Sequence, residues 1–197
     1  HEAVIQQNQQ FDFYDGGGLD LACIGLAQVD AVGNVNVSRF GRRLAGAGGF
    51  INISQNAKKL VFAGTFTAGG LKVAVKEGSL SVETEGKLPK FIEKVEHITF
   101  SGDYAAEKDQ PVIYVTERCV FRRTKLGMEL VEVAPGIDIE RDILAHMGFK
   151  PLVNDPKPMD PRILLVEIMG LEQILLGLTL VERISYDHLR NILFLNL

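Results

Sequence analysis

Residues 58–66 read Lys-Lys-Leu-Val-Phe-Ala-Gly-Thr-Phe, a basic lead-in followed by a strand-length run with an unbroken apolar middle. A strand with one wet face alternates polar and apolar residues. A run without alternation belongs to a strand covered on both faces, as in a parallel sheet flanked by helices. This stretch therefore demands further strands beside it and helices over it.

The rest of the chain offers both. Residues 19–29 (LDLACIGLAQV) read as a second buried strand. Gly33-Asn34 marks a turn, and Val35 and Val37 flank Asn36 with period two, so 19–38 is strand, turn, strand. Residues 112–115 (VIYV), 120–121 and 130–133 are further strands, with Leu126-Gly127-Met128 as a turn. Residues 71–88 alternate around Glu77-Gly78 and predict a β-hairpin. A short helix is expected at 50–57, and Pro89 is placed to open another that carries Phe91, Ile92 and Val95. The clearest helix is 137–147, capped by Asp138 and stopped by Gly148. The Gln-rich residues 1–10 read as a surface lead-in. Pro151, Pro156, Pro158 and Pro161 mark 150–161 as a linker or extended arm. The pattern predicts an α/β domain over residues 1–150, then a Pro-rich arm and apolar appendage over 151–197.

The 197 residues are enough for a sizeable core. Twenty-one basic against 25 acidic residues give a net charge of −4, with no run of five like charges, which excludes binding driven by phosphate neutralisation. No window of about 18 apolar residues predicts a membrane span, and the first residues lack the pattern of a secretory leader. A cytoplasmic protein is expected. Two cysteines, Cys23 and Cys119, make neither a disulfide scaffold nor a zinc site and are expected as buried free thiols. His1, His97, His146 and His188 are scattered and read as structural, so no metal is expected. A start at His1-Glu2-Ala3, without methionine, is what a piece of a longer chain would show.

The candidate chemistry lies in Gly46-Ala47-Gly48-Gly49. A glycine-rich bend ahead of a helix presents backbone N–H groups that can cradle an anion or polarise a carbonyl oxygen. Arg39, Arg42 and Arg43 lie just upstream, where they can meet phosphates. The bend is neither a Walker loop nor a dinucleotide fingerprint. Glu117 follows a strong strand and is expected in a salt bridge. Cys119 has no histidine near it in sequence, and Ser38, Ser54 and Ser101 lack a nucleophile elbow. The residues by themselves name no nucleophile.

Three stretches carry a resemblance: residues 10–22 (QFDFYDGGGLDLA), residues 25–38 (GLAQVDAVGNVNVS) and residues 46–53 (GAGGFINI). They resemble the carboxyl-terminal half of the family I coenzyme A transferases, above all those acting on acetate, propionate and other short-chain acyl groups. Residues 115–121 (VTERCVF), 134–138 (APGID), 159–162 (MDPR) and 169–171 (MGL) are similar to the same family. The resemblance implies a CoA-transferase-like open, mostly parallel sheet flanked by helices. It implies a reaction in which a glutamate attacks an acyl-CoA thioester and passes through an acyl anhydride to a glutamyl-CoA thioester. Coenzyme A is then substrate and covalent intermediate, and short-chain carboxylates are the other partners.

The family's nucleophilic glutamate lies in a Glu-x-Gly-x-x-Gly motif, and no glutamate here matches it. The resemblance thus implies a carboxyl-terminal portion that works with a complementary amino-terminal fragment, in a homo-oligomer. Carried over are Ala47, Gly48 and Gly49 as oxyanion donors. Gly46, Gly48 and Gly49, with Gly17, Asn34 and Arg39, are carried over as groups contacting CoA. Gly16, Gly17 and Gly18 are expected to shape the same cleft. An acyl-CoA hydrolase on the same scaffold and a non-catalytic CoA-binding subunit are the alternatives.

Overall fold

The computed structural model describes residues 4–187 and 191–195, so His1 and His188 lie outside the described residues. Contacts divide the chain into residues 1–164 and 165–197.

The first unit is built on a six-stranded sheet. Its strands are β1 (Ala22–Gly25), β2 (Leu60–Ala63), β5 (Val112–Val115), β6 (Cys119–Thr124), β7 (Gly127–Val133) and β8 (Leu152–Pro158), adjacent in that order. The apolar run at 58–66 supplies β2, which pairs in parallel with β1 on one side and β5 on the other. The β5–β6 and β6–β7 pairs are antiparallel, and β7–β8 is parallel. The expected mostly parallel α/β sheet is present.

Pairing register sorts the side chains into two faces. Ile24, Phe62, Tyr114 and Phe121 form one row across four strands. Helix α2 (Phe50–Asn56) and helix α3 (Gly102–Glu107) cover this face with Phe50, Ile53 and Ala105. Phe62 stacks on Phe50 at 5.8 Å and Tyr114 at 5.2 Å and meets Phe100 edge-on at 5.1 Å. A fully buried Phe contributes about 2–3 kcal/mol by area, so this aromatic cluster is the centre of the core. The Tyr114 hydroxyl stays satisfied by donating to the Gly33 carbonyl at 2.6 Å. The other face packs only partly. Hairpin β3 (Lys72–Lys76) and β4 (Ser79–Thr84), turning at Glu77 and Gly78 with positive φ as a two-residue turn requires, brings Leu80 against Val120, Ala134, Met159 and Leu164.

Several expectations change. Residues 19–29 are not one buried strand. Only Ala22–Gly25 joins the sheet, Leu21 is exposed, and Gln28–Val29 forms a separate ribbon with Val35–Asn36. Cys23 is exposed and only Cys119 is buried, because β1 ends the sheet and the Cys23 side chain points to the face without helices. The lead-in contains helix α1 (Gln7–Asp15), whose start is held by the Gln6 amide donating to Gln9 Oε1 at 3.3 Å. No helix opens at Pro89. Phe91 lies extended beside Val29, with the Lys90 carbonyl and the Ile92 amide bonded to Val29. Asp138 does cap the turn at 139, accepting from the Arg141 amide at 2.8 Å, but the segment is one wide turn (Ile139–Ile143) and then one tight turn (Leu144–His146). Of the two readings of 150–161, residues 152–158 take the extended one, as strand β8, since an outermost strand can carry Pro156 and Pro158 without losing a ladder on both sides.

In the second unit, Gly170 at φ +65° leads into helix α4 (Leu171–Leu176). Strands β9 (Ile184–Asp187) and β10 (Ile192–Leu195) pair antiparallel. Among the described residues no helix is long and apolar enough to cross a membrane.

Candidate functional site

In open α/β sheets, ligands gather at the carboxyl ends of the parallel strands. Here those ends are Gly25-Leu26, Ala63-Gly64 and Val115-Thr116. Helix α2 connects parallel β1 to β2, so it runs against the strands and its amino end lies at this same rim.

The glycine bend 46–49 is the entry to α2. A chain of short contacts fixes it. The Asn36 Oδ1 accepts the Ser38 and Arg39 amides at 3.1 and 3.2 Å. The buried Ser38 hydroxyl meets His97 Nδ1 and Thr99 Oγ1, each at 2.7 Å. The Ser38 carbonyl then accepts the Ala45 and Gly46 amides at 2.8 and 3.1 Å. Beyond that anchor Gly46 has φ +82° and Gly48 φ +52°, and nothing lies within 4 Å of where a Cβ would sit on either. Among the described residues no group accepts the amides of Ala47, Gly48 and Gly49. Three adjacent donors on an open bend are able to hold a negatively charged or polarised oxygen. Gly49 differs in its surroundings: the Phe11 ring of α1 lies 2.7 Å from its would-be Cβ.

The other expected site residues are dispersed. Helices α1 and α2 run side by side in the same direction, with Phe11 at Gly49 and Asp15 accepting from Asn52 and Asn56. Gly16, Gly17 and Gly18 therefore lie at the far end of α2 from the bend. Gly17, at φ +76°, lines a separate hollow of about 420 Å³ with Asn56, Lys58 and Gln110. Asn34 is committed to the turn: its Nδ2 donates to Asp30 at 3.1 Å and its Oδ1 accepts from the Gly102 amide at 2.9 Å. Arg39 is exposed on the ribbon Arg39–Phe40/Arg43–Leu44, whose far strand leads straight into the bend. Arg42 and Arg43 are exposed there too.

Two features of the rim escaped the sequence. The first is a buried ion cluster. Arg118, with no solvent exposure, donates to Glu85 at 2.8 Å, to Glu117 at 2.7 Å and to the Asp142 carbonyl at 2.8 Å, and lies 4.6 Å from the Phe66 ring centre. Burial by itself would raise the Glu85 carboxyl. Hydrogen bonds from Arg118, Thr67 and Gly86 outweigh it and bring it down to about 2. The expected Glu117 salt bridge is thus present, to its own neighbour in sequence. The second feature is Lys90, half-buried, whose Nζ lies 3.5 Å from the Leu26 carbonyl. Desolvation lowers its pKa, and Glu117 partly restores it. Burial pushes the Cys119 thiol up to about 12, which leaves it no role as a nucleophile at neutral pH. No cluster of potential metal ligands occurs among the described residues.

No protein-family model matches the chain. It is 48% identical over 180 residues to the caffeate CoA-transferase of Acetobacterium woodii, a match covering 88% of this chain and 34% of that protein. It is 45% identical over 169 residues to the acetate CoA-transferase YdiF of Escherichia coli K12, covering 85% of this chain and 32% of that protein. The crystal structure of acyl-CoA transferase YdiF from E. coli O157:H7 superposes with a TM-score of 0.84 over 86% of this chain and 33% of that one. A thioester complex of YdiF with CoA gives the same values. The decarboxylase AibA/AibB shares the fold at 18% identity and a TM-score of 0.60. The chain spans about a third of the length of the curated relatives it matches.

Proposed function

We propose that this chain is the carboxyl-terminal portion of an acyl-CoA:carboxylate CoA-transferase, completed by a polypeptide that supplies the nucleophilic glutamate. The observation that carries the reading is the 45–48% identity, over 85–88% of the chain, to relatives named as CoA-transferases. The bend 46–49 supports it by presenting three amides, unengaged among the described residues, at the rim where a thioester carbonyl would develop charge.

In the reaction, a glutamate carboxylate oxygen adds to the acyl carbonyl and the CoA thiolate leaves, giving a mixed anhydride. The thiolate then adds to the glutamyl carbonyl, expelling the acyl carboxylate and leaving a glutamyl-CoA thioester. An acceptor carboxylate reverses the sequence and departs as a new acyl-CoA. Each addition puts negative charge on a carbonyl oxygen, and the Ala47, Gly48 and Gly49 amides hold it.

The place for the companion polypeptide is the free edge of β1. That strand reads Ala-Cys-Ile-Gly, with none of the charges, prolines or bulges that guard an outer edge. Beside it the Cys23–Val61–Ile113 and Gly25–Ala63–Val115 rows stay exposed or half-buried. Parallel sheets are normally covered on both faces.

The test is to combine the chain with the part of the E. coli acetate CoA-transferase that it does not match, and to assay CoA transfer from acyl-CoA to acetate. Acetate-dependent formation of acetyl-CoA is expected. CoA release indifferent to acetate would make the assembly a hydrolase. A stable complex that binds CoA without turnover would make this a non-catalytic subunit.

A further inference from the structure

We infer that the Lys90 ammonium is a binding group for a carboxylate at the rim between β1 and β2. The inference rests on the transferase reading for its ligand class, since carboxylates are that reaction's acceptors and products. Its geometry is independent of that reading.

The backbone of Lys90 is fixed, because its carbonyl accepts the Val29 amide at 2.7 Å and the next residue, Phe91, is fully buried. The side chain therefore starts from a rigid point and ends across the carboxyl ends of two neighbouring parallel strands. Its Nζ is 3.5 Å from the Leu26 carbonyl, just past β1, and 3.4 Å from where a Cβ on Gly64 would sit, just past β2. A Cβ at 64 would therefore meet the ammonium at ordinary contact distance, which places the ammonium directly over the end of β2.

This cation has lost much of its water and gained little in return. An ammonium has three donors, and among the described residues Lys90 makes one long hydrogen bond. Glu117, the anion that acts on it, takes one hydrogen bond at each oxygen: Oε1 from the Arg118 Nε–H at 2.7 Å and Oε2 from the Phe66 amide at 2.8 Å. Among the described residues no ion pair joins the two, so Glu117 acts on Lys90 only through space. A half-desolvated charge without a contacting counter-ion is costly. It is kept where a ligand supplies that counter-ion, and a lysine suits a carboxylate that must arrive and leave, being a compact point charge without a two-pronged grip. Arg118, by contrast, is held by carboxylates of Glu85 and Glu117 and by the Asp142 carbonyl. Lys90 also reaches the end of β1, the outermost strand of the sheet among the described residues, so its carboxylate has two sources: the free acid substrate, or a side chain of the companion polypeptide.

The experiment labels the lysine Cε atoms of the 197-residue chain with carbon-13 and follows them by NMR at neutral pH, with Lys90→Arg identifying the signal. Sodium acetate is one probe, sodium chloride its ionic control, and the companion polypeptide the second probe. A saturable shift of the Lys90 signal with acetate, absent with chloride, assigns the site to substrate. A shift only with the companion assigns it to a protein carboxylate. A Lys90 signal that moves with neither overturns the inference. In the completed enzyme Lys90→Met is expected to raise KM for acetate by about tenfold or more with a smaller change in kcat, or to lower kcat by that factor with KM unchanged, matching the two sources. Lys90→Arg is expected to restore part of either loss. Unchanged kcat and KM in a Lys90→Met enzyme with an unaltered melting curve also overturn it. Failure of acetate-dependent transfer with the acetate shift intact would instead remove the transferase reading and leave the carboxylate site standing.

Discussion

The Arg118 guanidinium, with no exposure to solvent, donates to the Glu85 carboxylate at 2.8 Å. Glu85 arrives from the end of hairpin strand β4, and Arg118 sits in the turn between β5 and β6, so one ion pair ties the hairpin to the sheet. Removing one partner of a buried pair strands the other in a medium that cannot solvate it. Glu85→Gln is expected to destabilise the chain by about 3 kcal/mol, read from the urea midpoint. A loss within about 0.5 kcal/mol would mean that Glu117 and the Asp142 carbonyl satisfy Arg118 unaided.

The same carboxylate sets an acid limit. Its pKa is about 2 in the folded chain against an ordinary 4.5. The unfolded chain therefore binds a proton first as pH falls. The contribution of Glu85 is complete above about pH 5, declines through the range from 4.5 to 2, and is gone below it. Urea unfolding at a series of pH values is expected to show this slope, and Glu85→Gln to flatten it.

The two thiols should separate cleanly. Cys23 is exposed on the last strand of the sheet, while Cys119 is buried with its thiol shifted far up by desolvation. A disulfide reagent at neutral pH is expected to modify Cys23 in the native chain and Cys119 only after unfolding. The companion polypeptide, if it occupies the β1 edge, is expected to slow the reaction at Cys23. Equal rates with and without it would place the companion elsewhere.

What the sequence disclosed follows from how local each cause is. The β2 run, the Glu77-Gly78 turn and the Asp138 cap are each written within a few residues, and each was legible. The exposure of Cys23 depends on β1 being outermost, a fact of strand order that no window of sequence contains. Residues 152–158 look like a linker or extended arm because proline argues against strands, yet an outermost strand beside β7 tolerates it. Helix α3 carries a local signal too: Ser101 caps it by accepting from the Tyr104 amide at 3.2 Å, with Asp103 in the first turn. The bend 46–49 was legible from its glycines. Lys90 was not, because its meaning lies in what Arg118 and Phe66 already take from Glu117, and those partners come from distant parts of the chain.

Close packing makes Gly102 the least replaceable glycine beside the turn at 30–34. A Cβ there would lie 2.3 Å from the Val32 carbonyl oxygen and 2.9 Å from the Gly33 carbonyl carbon, both backbone atoms that cannot rotate away. Its amide also serves Asn34. Gly102→Ala is expected to cost about 3 kcal/mol, measured by thermal or urea unfolding, and to loosen hydrogen-exchange protection at Asn34.

Gly48 and Gly49 are neighbours that should fail for opposite reasons. Gly48 has room, with nothing within 4 Å, but its φ of +52° suits glycine. Alanine there is expected to cost about 1–2 kcal/mol in backbone strain, or to pull the bend into another conformation and turn its amides away from the rim. Gly49 has an ordinary φ of −83° but no room, because Phe11 lies 2.7 Å from the added methyl. Alanine there is expected to displace helix α1, seen as faster hydrogen exchange over residues 7–15, with the bend's dihedrals kept. If the bend's amides act in transfer, Gly48→Ala should lower kcat in the completed enzyme by up to about 100-fold, while Gly49→Ala should lower it less and destabilise α1 more. The reverse ranking would place the reacting oxygen away from these amides.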